Sequence, residues 1–194
     1  MKKIIYIAGL GHSGSTVLDM SLGSHRSMTG LGEICVSINN RNPEKLYKNS
    51  TCSCGEKAES CVFWKRVKDI SFSYKSTKEK YIKLIEVFNE TFGNEVILVD
   101  SSKNSYLYLK YLNENFDLRL VYISRDFRSW SYARHVRTGK PLFYLFLRWF
   151  LENKKILYVL KKNKINFFKV GYEEFAMFPE FILRHISEYV DVKY

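Results

Sequence analysis

Short apolar runs alternate along the chain with longer stretches in which apolar residues recur at helical spacing. The apolar runs, rich in β-branched and aromatic residues, are Lys3–Ala8, Glu95–Val99, Leu118–Ser124 and Asn166–Val170. The helical stretches between them cover about Ser15–Ser24, Thr77–Thr91, Ser105–Asn115, Arg128–Arg137 and Leu142–Lys162. Apolar strands that alternate with helices are typical of a parallel sheet buried on both faces. We therefore predict an α/β protein, a three-layer sandwich whose central parallel sheet is flanked by helices.

A single domain accounts for the whole chain, residues 1–194. With 194 residues, of which 46% are hydrophobic, the chain can build one sizeable core, and no repeat or proline-rich linker divides it. The least regular part, about residues 39–74, is predicted to be a loop-rich insertion. The apolar start after Lys2 and Lys3 breaks at Gly9 without a small-residue cleavage site. We therefore expect a buried first strand rather than a signal peptide.

The net charge indicates which class of ligand to expect, and the cysteine content bears on the cellular compartment. The chain has 31 Lys and Arg against 20 Asp and Glu, a net charge of +11, which favours an anionic ligand. No recognised nucleic-acid-reading motif accompanies this charge, so a specific nucleic-acid partner is not predicted. The apolar run Leu142–Leu147 ends at Arg148 and is too short for a membrane span. We predict a cytoplasmic protein, whose four cysteines are more typical of thiols or metal ligands than of disulfides.

The stretch Gly9–Thr16, GLGHSGST, nearly matches the phosphate loop G-x-x-x-x-G-K-[ST]. A strand, a glycine-rich turn and a helix in succession direct backbone N–H groups and the positive helix end to one point, which makes an anion site. Ser15 stands where an ATP or GTP site has the lysine that reaches the β- and γ-phosphates, so a ligand without a triphosphate is favoured. The predicted anion-binding residues are Gly11, His12, Ser13, Gly14, Ser15 and Thr16.

A second anion site is predicted at the same edge of the sheet. Asp100, Arg125 and Gly171 follow predicted strands directly, where an open α/β sheet forms its ligand crevice. Arg125 begins the stretch Arg-Asp-Phe-Arg, and its guanidinium suits bidentate phosphate binding. The alternative for this stretch alone is a surface Arg–Asp pair. We expect a ligand with two anionic groups, one at the loop and one at Arg125.

Together these motifs resemble the sulfotransferases that use 3′-phosphoadenosine 5′-phosphosulfate (PAPS). Gly9–Thr16 resembles their 5′-phosphosulfate loop, Arg125–Arg128 their 3′-phosphate motif R-D-P-R, and Lys169–Phe175 their strand followed by Y-E-D-L. The resemblance implies a P-loop-like sulfotransferase fold and PAPS as the cofactor, with the desulfated product PAP. It also implies an acceptor hydroxyl, with a carbohydrate as the leading expectation and another small molecule as the alternative. Tyr172, in the last motif, is expected at the cofactor.

Two positions depart from the family pattern. The family carries Arg or Lys before its Ser-Gly pair, whereas this chain has His12, whose protonated imidazole would donate to the bridging oxygen of the cofactor. A family serine is expected eight residues after the 3′-motif arginine, where this chain has Ala133. Ser129 lies one helical turn earlier on the same face, and we expect it to take the place of that serine.

Catalysis on the acceptor side requires a base and a stabilising cation. Glu33 lies shortly after the first helix, where related sulfotransferases present substrate-binding or basic residues. Burial in a pocket mouth would raise the pKa of this carboxylate toward neutrality, so that it could accept the hydroxyl proton. The alternative for Glu33 is an N-terminal helix charge. Lys103 begins a stretch, residues 103–107, that resembles the K-S-P-x-Y element of carbohydrate sulfotransferases. Lys103 is expected to stabilise negative charge on the transferring group. Glu33, Lys103 and His12 are the candidate catalytic residues, and no metal is required.

Several alternatives stay open. Cys52, Cys54 and Cys61 cluster while Cys35 is distant, and this spacing favours thiols over zinc, with a disulfide close behind. A P-loop nucleotide kinase and a non-catalytic nucleotide- or polyanion-binding protein are the alternative functions. Family members often continue past the position of Tyr194, so we expect a truncated or a naturally short chain. The sequence indicates no oligomeric state.

Overall fold

A computed structural model describes residues 1–40, 51–52, 54–103 and 108–194. Within these residues, five strands form one sheet in the order β2-β3-β1-β4-β5, and every neighbouring pair is parallel. The strands are β1 (Lys3–Gly9), β2 (Met28–Gly30), β3 (Ile97–Lys103), β4 (Asp117–Ser124) and β5 (Phe167–Gly171). The predicted α/β architecture with a central parallel sheet is confirmed.

Helices cover both faces of this sheet. They are α1 (Ser15–Gly23), α2 (Ile34–Ile38), α3 (Val62–Ser73), α4 (Thr77–Phe92), α5 (Leu109–Asn115), α6 (Phe127–Thr138), α7 (Leu142–Lys162), α8 (Tyr172–Met177) and α9 (Pro179–Tyr189). Side chains of β1 alternate between the two layers, because Ile4 packs in the core under α4 while Ile5 packs in the core under α1. Fully burying an isoleucine contributes about 1.5–3 kcal/mol, so this central strand anchors both layers.

Several elements differ from the sequence prediction. Helix α3 and the Thr51–Lys57 bridge lie within the stretch predicted to be loop-rich, of which residues 41–50 and 53 lie outside the described residues. Strand β3 continues to Lys103, so Asp100 is a buried strand residue and does not follow the strand as predicted. Residues 104–107 also lie outside the described residues, and with them most of the predicted K-S-P-x-Y element and the start of the predicted helix 105–115.

The parallel register brings one end of four strands to a common edge. Gly9 pairs with Ile123 and Ala8 with Lys103, while Ser124 at the end of β4 pairs with Gly171 at the end of β5. The segments that follow or end these strands carry the candidate site residues, so the topology gathers residues that are far apart in sequence. None of the helices among the described residues is long and apolar enough to cross a membrane.

Candidate active site

The loop between β1 and α1 presents uncapped backbone amides. Gly14 is the N-cap of α1 with φ 87, and no side chain among the described residues caps this helix. A Cβ at Gly14 would lie 2.2 Å from the Tyr172 ring, so glycine is required both by the left-handed backbone and by this close approach. The first amides of a helix need external acceptors, and the positive helix end favours an anionic one. The predicted anion loop therefore has the geometry that such a site requires.

The loop forms one wall of a cavity of about 400 Å³. Within the described part of the chain, the buried Ser13 hydroxyl has no hydrogen-bond partner, so the loop has an unused donor beside its amides. Thr16 is exposed, and Ser15 is buried in the first turn of α1. The residues that line the cavity are Gly11, His12, Gly14, Ser15, Thr16, Glu33, Val36, Ser102 and Lys103.

Three arginines converge on the loop at His12. The Arg134 Nη1 atom lies 2.7 Å from His12 Nε2, and Arg137 Nη1 lies 3.4 Å from His12 Nδ1. Arg125 Nη1 donates to the His12 carbonyl at 3.4 Å. A guanidinium group is always charged and can only donate, so these side chains hold positive charge against the loop. They supply the cationic environment that the absent loop lysine would otherwise provide.

His12 itself is held in its neutral form. Partial burial, and then the repulsion of Arg134 and Arg137, lower the pKa of His12 below its usual value of 6.5. Because the Arg134 guanidinium can only donate, the Nε2 atom of His12 must accept in their contact. The protonated imidazole expected from the sequence is therefore disfavoured in the free protein, and Arg134 carries the charge at this position.

The sequence interpretation missed Arg134 and Arg137, although a signal for them exists. Trp130, Arg134 and Arg137 are spaced i, i+4, i+7 and share one face of helix α6. Trp130 Nε1 donates to the Gly11 carbonyl at 2.8 Å, and the Arg134 guanidinium lies 5.8 Å from the Trp130 ring centroid. The buried tryptophan thus fixes this face against the loop, and helical spacing counted from it would have identified both arginines.

Arg125 and Tyr172, both expected at the cofactor from the sequence, meet beside the loop. The Arg125 guanidinium lies 4.8 Å from the centroid of the Tyr172 ring, and that ring covers Gly14. The buried Nε atom of Arg125 has no hydrogen-bond partner among the described residues. Arg125 is therefore held beside the loop by the Tyr172 ring and by the His12 carbonyl.

The remaining residues of the Arg-Asp-Phe-Arg stretch build the start of α6. The Asp126 side chain accepts hydrogen bonds from the backbone N–H groups of Arg128 and Ser129, which makes Asp126 a helix cap. The Arg128 side chain is 76% exposed and bonds to the Asp126 carboxylate. Ser129 is exposed in the first turn. Asp126 and Arg128 thus form the surface pair considered above as an alternative, whereas Arg125 points to the loop.

Glu33 and Lys103 form an ion pair across the opposite wall of the cavity. Lys103 is 12% exposed and Glu33 is 47% exposed, so the carboxylate lies at the mouth and the ammonium lies deeper. The expected burial of Glu33 is only partial, and the two residues touch each other rather than flank a bound group. Lys103, like His12, holds a left-handed backbone (φ 45 and 71), which costs about 1–3 kcal/mol and is typical of functional sites.

Two buried carboxyl groups lie beneath this ion pair. Burial raises the pKa of Asp100 to about 7, against hydrogen bonds from Ser102 and Tyr81 that lower it. Burial likewise raises the pKa of Asp19 to about 6, against a hydrogen bond from Ser101. Asp100 is fully buried within β3 and absent from the cavity lining, so it supports the site from below rather than lining it.

The site therefore belongs to an α/β protein with a lysine-free anion loop surrounded by cations. No family profile and no curated protein matches the sequence. Solved structures do match, and the sulfotransferase domain from the curacin biosynthetic pathway has a TM-score of 0.64 at 18% identity over 100% of this chain and 75% of its own.

Two further structures show the same similarity. The sulfotransferase domain of the Synechococcus PCC 7002 olefin synthase has a TM-score of 0.61 at 15% identity, over 99% of this chain and 74% of its own. A sulfotransferase from Mycobacterium tuberculosis H37Rv has a TM-score of 0.61 at 13% identity, over 100% of this chain and 68% of its own. The chain has the sulfotransferase fold, as the motifs predicted.

Proposed function

We propose that this protein is a sulfotransferase that transfers the sulfuryl group of PAPS to an acceptor hydroxyl, with a carbohydrate as the leading acceptor class. The observation that carries the proposal is the convergence of Arg125, Arg134 and Arg137 on a helix-capping loop that lacks the phosphate-loop lysine. A triphosphate site needs that lysine and magnesium ligands. A phosphosulfate has no γ-phosphate, and its charge is matched by amides and arginines.

The donor half of the proposed site would hold both anionic ends of PAPS. The amides that begin α1, with the hydroxyls of Ser13 and Thr16, would bind the 5′-phosphosulfate. Arg125, whose Nε is unpaired among the described residues, would bind the 3′-phosphate, with Ser129 as the nearest candidate hydroxyl in α6. Tyr172 would orient Arg125 through the contact of its ring with the guanidinium.

The acceptor half would supply a base and a cation. When bound, PAPS supplies a sulfuryl group whose bond to the bridging oxygen breaks as the acceptor oxygen bonds to sulfur. Glu33 lies at the cavity mouth and would accept the hydroxyl proton, while Lys103 beside it would stabilise negative charge on the transferring oxygens. Arg134, rather than His12, would stabilise the departing phosphate. The cytoplasmic location inferred from the sequence stays a prediction.

Ligand binding and turnover together test this function. Calorimetry should show PAP binding more tightly than AMP and ATP, because PAP carries the second anion and ATP needs the absent lysine. With PAPS and a library of carbohydrate and small-molecule alcohols, PAP should be released only when an acceptor is present. ATP binding in preference to PAP would favour a kinase, and PAP binding without turnover on any acceptor would favour a nucleotide-binding protein.

A further inference from the structure

Three cysteine side chains that do not line the cavity of the candidate active site meet at one point. The sulfur atoms of Cys52, Cys54 and Cys61 all lie within 4.8 Å of one another. Those of Cys52 and Cys61 are 3.7 Å apart. The arrangement of three thiols around one point is a feature that the linear spacing of these residues did not predict.

Two short elements hold this cluster in place. Thr51 bridges to Lys57, and the Cys52 N–H donates to the Glu56 carbonyl at 2.8 Å; the described residues 51–52 and 54–57 are called the hairpin below. Cys61 is the N-cap of α3, and its own N–H donates to the Lys57 carbonyl at 2.9 Å. The hairpin therefore carries two sulfurs, and the start of the helix carries the third. The positive end of α3 lowers the cost of a thiolate at Cys61.

The separation of the Cys52 and Cys61 sulfurs suits a tetrahedral metal better than a disulfide. Zinc–thiolate bonds of about 2.3 Å at tetrahedral angles place neighbouring sulfurs about 3.8 Å apart, close to the observed 3.7 Å. A disulfide requires about 2.05 Å, so Cys52 and Cys61 would have to move together by well over 1 Å. A disulfide between Cys52 and Cys61 would also leave the neighbouring Cys54 thiol without a bonding partner in the cluster.

We propose that Cys52, Cys54 and Cys61 form a tris-thiolate site for zinc or a similar thiophilic divalent ion. Thiolates are the ligands such ions prefer, and the fourth position falls to water because Cys54 is on the exposed side of the cluster. The ion fastens the hairpin to the N-terminus of α3. The metal would add stability where little apolar burial supplies it, because Ala58 and Cys61 are the only buried apolar side chains among the described residues 51–52 and 54–61.

The fastened segment adjoins the layer that supports the active site. Cys61 and Phe63 belong to the same core cluster as Ile34 and Ile38 of helix α2, and Glu33 is the N-cap of that helix. The metal site therefore stabilises the outer side of the element that carries Glu33. It takes no part in the proposed transfer, so the two proposals fail independently.

Cobalt substitution tests the site directly on the full chain. The protein is reduced, stripped with a chelator and titrated with Co²⁺, which should give thiolate-to-metal charge-transfer and tetrahedral visible bands that Zn²⁺ then bleaches. Cys54→Ser should give a weaker charge-transfer band at saturation, because only two thiolates remain, and should bind Co²⁺ at least roughly 100-fold more weakly. Cys35→Ser is the matched control, since Cys35 is a buried thiol in α2 outside the cluster, and it should bind as the parent does.

Stability provides a second readout that does not depend on the buried Cys61. Zinc should raise the melting temperature of the parent and of Cys35→Ser but not that of Cys54→Ser, whose exposed position allows normal folding. The proposal is overturned if the reduced parent gives no charge-transfer band, or if Cys54→Ser gives the parental band. A Cys52–Cys61 disulfide in metal-free protein purified without reductant, found by peptide mass spectrometry, would also overturn it.

Discussion

The two walls of the candidate active site are built differently. The anion wall is defined here as the loop Gly11–Thr16 together with the three arginines that contact this loop at His12, which are Arg125, Arg134 and Arg137, and it combines backbone amides with several cations. The acceptor wall, formed by Glu33 and Lys103, consists of one ion pair. On the anion wall three arginines share the positive charge, so removing one of them should weaken ligand binding only in part. The acceptor wall has one carboxylate, so removing it should cause a large fall in turnover.

The largest expected effect comes from removing that carboxylate. Glu33→Gln should lower turnover by roughly 10²–10⁴-fold, the usual contribution of a general base, while PAP affinity stays near that of the parent. PAP release with a working acceptor and calorimetry with PAP measure the two quantities. Glu90→Gln is a matched control, because Glu90 also forms an ion pair, with Arg66, on a distant surface. Parental turnover in Glu33→Gln would show that another group is the base.

Discrimination between nucleotides tests the anion wall next. Arg125→Ala should lose about 10–100-fold in its preference for PAP over AMP, the value of a hydrogen bond to a charged group. The ratio of the two dissociation constants is the quantity to measure. Arg128→Ala is the matched control three residues away, since that guanidinium bonds to Asp126 at the surface. An unchanged ratio in Arg125→Ala would assign the 3′-phosphate to another residue.

A smaller effect is expected from one of the shared cations. Arg134→Ala should weaken PAP binding only about three- to tenfold, because Arg137 and Arg125 remain and the site is partly open to solvent. The same change should raise the pKa of His12, since Arg134 is the largest charge that lowers it. NMR titration of the imidazole measures this shift. A His12 pKa that does not move in Arg134→Ala would contradict the contact.

The smallest effect on ligand binding is expected from changing Asp100, which is buried below both walls. Burial raises the pKa of Asp100 from 3.8 to about 7, so the folded protein retains a proton that the unfolded chain releases in this range. The free energy of unfolding should therefore fall as the pH rises from about 4 to 7. Asp100→Asn should flatten this decline in part, since Asp19 contributes the same sign, and should leave PAP affinity unchanged. Denaturant unfolding at pH 5 and pH 8 measures the difference.

Much of this fold followed from the sequence because the strands are continuous apolar runs. Residues 3–8 and 118–124 were predicted nearly to their ends, since strands buried on both faces admit few polar residues. Strand β2 has three residues, too few for any pattern to distinguish it from a loop. The end of β3 was missed because Asp100, Ser101 and Ser102 are polar. Burial is tolerated because Asp100 accepts hydrogen bonds from Ser102 and Tyr81, and Ser101 bonds to Asp19.

The candidate site was predictable where it is local and not where it depends on contacts between elements. The anion loop was found because its strand, glycines and helix are consecutive in sequence. The lowered pKa of His12 depends on its burial and then on Arg134, which lies on another element. The pairing of Glu33 with Lys103 likewise depends on how α2 sits against β3. Charged side chains from distant segments influence the protonation state of a site, and a local sequence motif does not contain those side chains.

The position of β1 at the centre of the sheet has a consequence for the order of events during synthesis. The strand pairs with residues near Leu98 on one side and Asp117 on the other. A ribosome adds about 5–20 residues per second, so β1 waits on the order of ten seconds for either neighbour. Its apolar run is exposed during that time, when a chaperone would protect it from aggregation. The loop Gly9–Thr16 is synthesised well before Arg134 and Arg137, so the candidate site is complete only after both arginines have been added.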